Sequence, residues 1–281
     1  LKDKNRLTEL PPFLAQGPVG EAFTVGNGRG IRLPKQPSIQ YAPGWETAYD
    51  YWAQRLGNAI LWAAGKEPKA QIALSIDKST FARDEGAQIT GQITGTLLQG
   101  KAWVRKRYTS HTGEPVPIAR VAMIEEVSSP GAVSERVPAL PAGDYHFDVW
   151  LRSDKGIESW ASVPFTVTSS RRVSELKLHE TWGEPGDSIA GTVSLEGEPL
   201  PDETLQIELL DRRGRVLARR SLAASNDPVQ FDFQIEPWFP MLVTVRARLI
   251  TKMDEVSRSW QFFRVCKRNR GQFNFLMWDV P

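Results

Sequence analysis

The chain contains an internal repeat with a period of 100 residues. Residues 84–93 read DEGAQITGQI and residues 184–193 read EPGDSIAGTV, so that Gly86 and Gly91 return as Gly186 and Gly191. Further along, a Ser-Trp pair at 159–160 returns at 259–260. A period near 100 residues is that of one β-sandwich domain. We therefore expect two tandem sandwiches, at 69–168 and 169–266.

Both copies are filled with short segments in which apolar and polar residues alternate. Residues 72–76 read IALSI and residues 205–209 read LQIEL, with turn residues recurring at short intervals between such segments. This pattern predicts a mainly β fold. A strand, then an acidic residue with glycine, then an alternating strand resembles immunoglobulin-like and macroglobulin-like modules.

A small α+β piece, a hairpin followed by a helix, is predicted ahead of the repeat. Residues 1–20 show neither period, but GNGRG at 26–30 lies between apolar runs, which favours a hairpin. A phosphate-binding loop would need a helix directly after the glycines, whereas Pro34 follows here. Thr47 and Asp50 then resemble a capping box, and Gly65 ends a helix near Ala64. The expected apolar stripe of this helix is Tyr49, Trp52, Leu56, Ala59, Ile60 and Ala63. One hairpin cannot bury this stripe, which must pack on the first sandwich or on upstream sequence.

Residues 26–33 (GNGRGIRL) and 46–68, especially AILWAAGKEP at 59–68, carry a family resemblance. They resemble the C-terminal end of a class I glutamine amidotransferase-like, flavodoxin-like domain, of the kind found inside large bacterial glycoside hydrolases related to β-galactosidases. The resemblance covers 18–68 and implies that 1–68 is the remnant of such a domain. It also implies that 267–281 is a linker and the first strand of a following catalytic barrel. The nucleophile and histidine of an amidotransferase would lie upstream, so no residue here matches them.

The bulk composition excludes several classes of function. A formal net charge of +2, from 35 basic and 33 acidic side chains, creates no field that gathers nucleic acid or an anionic membrane. Cys266 is the single cysteine, which excludes an intramolecular disulfide and a cysteine zinc cluster. No apolar run reaches the length of a membrane span. We expect no nucleic acid, membrane, metal or cofactor partner, and no catalytic set emerges in this stretch.

The candidate site comes from a comparison of the two copies. Aligning Gly113 with Gly214 places Val104, Lys106 and Tyr108 opposite residues that face the core in the second copy. Because strand side chains alternate, the residues on either side of Val104 and Lys106 face outward. In an immunoglobulin-like sandwich a later strand, which includes residues 146–152, neighbours this one, and its alternate residues face outward too. This outer face gathers Trp103, Arg105, Arg107, His146, Asp148, Trp150 and Arg152. Lys106 on the inner face is the exception, and a shift of one residue in register would exchange the faces.

An outer face of this kind has three interpretations. It can be packed against another domain, which we favour, it can be a set of solvated cross-strand pairs, or it can stack on a sugar ring. The partners expected are therefore other domains of the same polypeptide, with a glycan as the alternative. The function predicted is a non-catalytic structural spacer in a secreted carbohydrate-active enzyme, extracellular or periplasmic, positioning a downstream glycoside hydrolase barrel. The alternative is a carbohydrate-binding or adhesin-like and macroglobulin-like interaction module.

Overall fold

The computed structural model of the chain describes residues 4–7, 21–35, 45–96, 102–111, 123–127, 131–154, 156–252 and 254–267. The chain divides into two compact units. The first holds Leu1–Ser170 with Glu255–Ser257, and the second holds Arg171–Asp254 with Arg258–Pro281. The predicted barrel strand within 267–281 lies outside the described residues, apart from Lys267 itself.

The first unit begins with a small antiparallel sheet and a helix. The sheet consists of β1 (Lys4–Arg6), β2 (Glu21–Val25) and β3 (Gly28–Arg32), in that order. Gly26 and Asn27 form the turn between β2 and β3, and Gly26 adopts a φ of +55°, which suits the first position of a two-residue hairpin turn. The predicted hairpin is thereby confirmed, whereas β1 carries no periodic signal. Helix α1 (Trp45–Ala63) follows and packs Trp62 against Ala22.

The buried side of α1 differs from the predicted stripe. The buried residues are Thr47, Tyr51, Ala59 and Trp62, whereas Tyr49 and Ile60 of the predicted stripe are 37% and 58% exposed. Successive residues are about 100° apart around a helix, so this change corresponds to a rotation of the helix about its axis. The prediction assumed that the most apolar side faces inward. The helix instead buries Tyr51, whose hydroxyl finds a buried partner on the first sandwich.

The first sandwich has two sheets. The smaller consists of β4 (Ala70–Ile76), β6 (Gln88–Gly95) and β9 (Gly131–Arg136), in that order. The larger consists of β5 (Thr80–Ala82), β7 (Ala102–Ser110), β8 (Met123–Val127), β10 (Gly143–Ser153) and β11 (Gly156–Thr168), with spatial order β5-β11-β10-β7-β8. The pair β5 and β11 is parallel, and the other pairs are antiparallel. The core between the sheets includes Ile72, Ile89, Val104, Phe147 and Leu151, all fully buried.

The second sandwich repeats this topology strand for strand. Its smaller sheet has the order β12 (Arg172–Leu178), β14 (Ser188–Glu196) and β17 (Val229–Gln234). Its larger sheet consists of β13 (Trp182–Gly183), β15 (Glu203–Leu210), β16 (Val216–Ala223), β18 (Leu242–Thr251) and β19 (Asp254–Val265), with spatial order β13-β19-β18-β15-β16. The predicted fold class, mainly β with two immunoglobulin-like sandwiches after a hairpin and a helix, is confirmed.

The glycines of the sequence repeat meet two backbone requirements. Gly86 and Gly186 have φ angles of +71° and +99° in the turn before β6 or β14, a region that residues with a Cβ rarely adopt. Gly91 and Gly191 lie within those strands, where there is no room for a side chain. A Cβ would lie 2.6 Å from Leu74 Cδ2 at Gly91 and 2.4 Å from the Lys177 carbonyl oxygen at Gly191. The repeat therefore marks one turn and one close approach in each copy.

Arg171 anchors the start of the second sandwich. Its side chain is fully buried, and the Nε and Nη2 atoms donate to the Glu203 carboxylate at 3.1 and 2.7 Å. Nη1 donates to the Gly197 carbonyl oxygen at 2.8 Å and to Asn226 Oδ1 at 2.7 Å. Burying a guanidinium is tolerated only with such complete pairing. Arg171 is therefore a structural centre of the second sandwich, with every nitrogen of its guanidinium engaged.

Candidate functional site

All seven candidate residues lie on the outer face of the larger sheet in the first sandwich. The strands β7 and β10 are antiparallel neighbours, in which Arg107 opposes Asp148, Arg105 opposes Trp150 and Trp103 opposes Arg152. His146 is opposite Thr109 on the same face. Gly113, on which the sequence alignment rested, lies outside the described residues.

Lys106 is on the inner face, so the register is the predicted one rather than the shifted one. Its side chain is buried, and Nζ lies 3.4 Å from Glu135 Oε2 on β9. Tyr108, the next inner residue of β7, has a pKa raised by burial and by the negative charge of Glu135. The first sandwich therefore carries a lysine in its interior, paired with a carboxylate of the opposite sheet.

Asp148 is the centre of the outer face, but only 1% of it is exposed. Its Oδ1 accepts hydrogen bonds from Tyr51 Oη of α1 at 2.7 Å and from Ser162 Oγ of β11 at 2.9 Å. Its Oδ2 accepts from Thr109 Oγ1 at 2.8 Å and from Arg107 Nη2 at 3.4 Å. Helix α1 thus covers this part of the face, and the carboxylate is occupied by protein donors.

His146 lies beside Asp148 in an aromatic stack. Its ring is 4.1 Å from the Tyr51 ring and 6.1 Å from the His111 ring, centroid to centroid. Burial lowers the pKa of His146 to about 4. The charge of Asp148 opposes this shift, and the interactions with His111 and Arg55 add to it. Burial and then the charge of Asp148 raise the pKa of Tyr51 far above its ordinary value. A neutral imidazole and a protonated phenol therefore face each other at neutral pH.

The remaining candidate residues lie nearer to solvent. Trp150 is half-buried, with the guanidinium carbons of Arg107 and Arg105 at 5.0 and 5.9 Å from its ring centroid, within cation–π range. Arg152 is exposed and Trp103 is half-buried. The candidate set thus has two parts. His146 and Asp148 lie under α1. The other part, which we call the Trp150 cluster, consists of Trp150 with Arg105 and Arg107 and lies on the open part of the face.

The same face of the second sandwich carries a buried ion pair with the opposite polarity. Glu208 on β15 opposes Arg246 on β18, whereas Arg107 on β7 opposes Asp148 on β10. Glu208 is fully buried and accepts from Arg246 Nη2 at 2.6 Å and Arg219 Nε at 2.8 Å. Burial alone would raise the pKa of Glu208, but the bonds and charges of its arginines hold it below the ordinary value. Here arginines cover the carboxylate, whereas a helix covers it in the first sandwich.

Sequence reasoning missed the donors that hold Asp148. Tyr51 is 97 residues away in sequence, and Thr109 and Ser162 are ordinary strand residues. One signal was available, namely a carboxylate in mid-strand flanked on its own face by histidine and tryptophan, which needs donors from an adjoining element.

A cavity of about 440 Å³ adjoins this face and is lined by His111, His146, Asp144 and Thr166, among others. Asp144 Oδ1 already accepts a hydrogen bond from Thr166 Oγ1 at 2.7 Å. Over the part of the chain that the structure describes, no group of three or more histidine, cysteine, aspartate or glutamate side chains is placed to hold a metal ion. Nor does a helix among these residues have the length and hydropathy to cross a membrane.

No protein-family model and no curated protein matches the chain. Among solved structures, a tetra-tandem repeat in the extending region of a large adhesion protein is 14% identical, with a TM-score of 0.30, over 69% of this chain and 49% of that one. Dimeric latent PorU from Porphyromonas gingivalis is 13% identical, with a TM-score of 0.29, over 71% and 20% of the two chains. Red sea bream transglutaminase is 10% identical, with a TM-score of 0.29, over 89% and 38%. This chain spans less than half the length of each.

Proposed function

We propose that the chain is a non-catalytic structural segment in which two immunoglobulin-like sandwiches and a docked helix hold other domains of the same polypeptide in place. The observation that supports this role is the burial of Asp148 beneath Tyr51. On the face with the most chemistry-bearing residues, the carboxylate is engaged in fixing α1 to the sandwich. A carboxylate with four protein donors has little capacity left for a ligand.

The parent protein in this proposal is a secreted carbohydrate-active enzyme, extracellular or periplasmic. The segment 1–68 would end an amidotransferase-like domain, and 267–281 would lead into a glycoside hydrolase barrel that carries out the catalysis. Two features support the first part. The GNGRG motif forms the turn and the start of β3 in the hairpin of β2 and β3, and Trp62 of the AILWAAGKEP motif packs on Ala22 of β2. The two halves of the sequence resemblance therefore form one packed piece.

Amide hydrogen exchange on the whole chain tests the spacer role. If α1 is a fixed part of the first unit, its central amides should exchange within about tenfold of those of β10, because both open together. An α1 that exchanges about a hundredfold faster than β10 would contradict the proposal, since a loosely attached helix cannot fix the position of a domain.

A second candidate function is carbohydrate binding, and the Trp150 cluster favours it. A half-buried indole with the guanidinium groups of Arg105 and Arg107 over its ring combines aromatic surface with hydrogen-bond donors. Glycan-array binding by the whole chain tests this function, with Trp150→Ala and Trp103→Ala as variants. Binding that is lost in these variants but kept in Trp238→Ala, an exposed tryptophan of the other unit, would replace the spacer role by an interaction module.

A further inference from the structure

Among the described residues, the second unit exposes four large apolar side chains. One is Val216, and we call the other three, Trp182, Trp238 and Met241, the pole patch. Their exposed fractions are 46%, 61% and 72%. Single exposed apolar residues are ordinary on protein surfaces, but two tryptophans and a methionine at one end of a sandwich are the composition of an interaction site.

The pole patch surrounds the place where β19 ends. Trp182 on β13 is the ladder partner of Arg264 on β19. On the other side of β19, the Met241 carbonyl oxygen accepts a hydrogen bond from the Val265 amide at 2.9 Å. Trp238 precedes Met241 by three residues, and its ring packs edge-on against the buried Phe239 at 4.7 Å. The chain therefore leaves the second sandwich between members of the patch.

Residues 268–281 lie outside the described part of the chain, and they include the apolar run FNFLMW at 273–278. Five residues lie between Lys267 and Phe273, so six Cα–Cα steps give a reach of up to about 20 Å. That length is enough for the run to turn back onto the patch. The intervening linker is basic, with Lys267, Arg268 and Arg270, whereas the loop that carries Trp238 also carries the exposed Glu236.

We propose that the pole patch is the docking site for the chain's own segment 273–278, which fixes the direction in which the polypeptide leaves the second sandwich. Trp238 and Met241 supply apolar area to Phe273, Leu276 and Trp278, and the Glu236 carboxylate attracts the basic linker. The inference extends the proposed spacer role, because a spacer needs a fixed exit as well as a fixed entrance. It makes no use of α1, so the two proposals can fail separately.

Hydrogen exchange on the whole chain, compared with a synthetic peptide of residues 267–281, tests the docking. We expect the amides of 273–278 to exchange at least about tenfold more slowly in the chain than in the peptide. The double variant Trp238→Ser/Met241→Ser should return them to the peptide rate. Ile157→Ser is the matched control, because Ile157 is 63% exposed in the other unit. It should leave the protection of 273–278 unchanged.

Three results would overturn the inference. The first is that the amides of 273–278 exchange at the peptide rate in the parent chain, and the second is that their protection survives the double variant. The third is that the protection disappears on dilution, which would assign the patch to a second copy of the chain. Exchange of the β15 and β18 amides reports whether the double variant keeps the second sandwich folded. If it does not, the single variant Trp182→Ser takes its place, and the comparison of the parent chain with the peptide remains decisive.

Discussion

The hydroxyl of Tyr51 donates a 2.7 Å hydrogen bond to the carboxylate of Asp148, joining the helix to the outer face of the first sandwich across 97 residues of sequence. A buried carboxylate without donors would cost several kcal/mol, so the donors and the carboxylate depend on one another. This contact explains why α1 buries a tyrosine rather than its most apolar side.

The first prediction concerns Tyr51→Phe. This variant keeps the ring that stacks on His146 and removes one donor to a buried charged acceptor, which typically costs about 1.5–3 kcal/mol. We expect a loss of about 2 kcal/mol in the free energy of unfolding, measured with urea, and faster amide exchange in α1. Tyr49→Phe is the matched control on the exposed side of the helix and should stay within about 0.5 kcal/mol of the parent. Equal effects of the two variants would show that the hydrogen bond is not what anchors α1.

The second prediction compares two neighbouring arginines. Arg171→Ala leaves the Glu203 carboxylate without its bidentate partner, and breaking a buried pair costs about 3–5 kcal/mol. Arg172→Ala breaks a pair with Glu196 in which both side chains are about half exposed, and such pairs contribute about 0–1 kcal/mol. Chemical denaturation monitored by amide exchange in β15 should therefore show a large loss for Arg171→Ala and almost none for Arg172→Ala. A loss below about 1 kcal/mol at Arg171 would contradict the anchoring role.

The sandwiches and the hairpin could be predicted because their signals are local. Alternation with a period of two assigned Val104 to the core and Trp103, Arg105 and His146 to the outer face, as the structure has them. The turn at Gly26 likewise follows from residues within a few positions of it.

The long-range pairs could not be predicted in this way. Nothing near Tyr51 or Arg171 in sequence reveals a carboxylate that lies 97 or 32 residues away. The hydrophobic stripe of α1 predicted the wrong buried side, because the hydrogen bond of Tyr51 outweighed the burial of Ile60. The two sandwiches carry ion pairs of opposite polarity, Arg107 with Asp148 and Glu208 with Arg246. These pairs become apparent only when the strand register is known.

The third prediction concerns the repeat glycines. A Cβ at Gly191 would meet the backbone oxygen of Lys177, which cannot move without disturbing the ladder of β12 and β14, whereas at Gly91 it meets the end of the Leu74 side chain. Overpacking of this kind costs about 1–3 kcal/mol. We expect Gly191→Ala to lower the free energy of unfolding by about 3 kcal/mol or more and Gly91→Ala to lower it by about 1 kcal/mol. The shifts of the urea unfolding midpoints measure both losses. A larger loss at Gly91 than at Gly191 would reverse the argument.

The fourth prediction concerns pH. Burial holds the pKa of His146 at about 4, below the value of about 6.5 expected in the unfolded chain, so the unfolded chain binds the extra proton first as the pH falls. The stability that the neutral imidazole contributes is complete above about pH 6.5 and declines between about pH 6.5 and 4. Allowing for partial exposure of the ring, the decline should be about 1–2 kcal/mol. Urea unfolding at about pH 7.5 and about pH 4.5 should show that His146→Gln removes this part of the acid sensitivity. His179→Gln, at an exposed position in the second sandwich, is the control. If both variants lost as much free energy of unfolding between the two pH values as the parent chain does, the acid sensitivity would belong to the carboxylates rather than to His146.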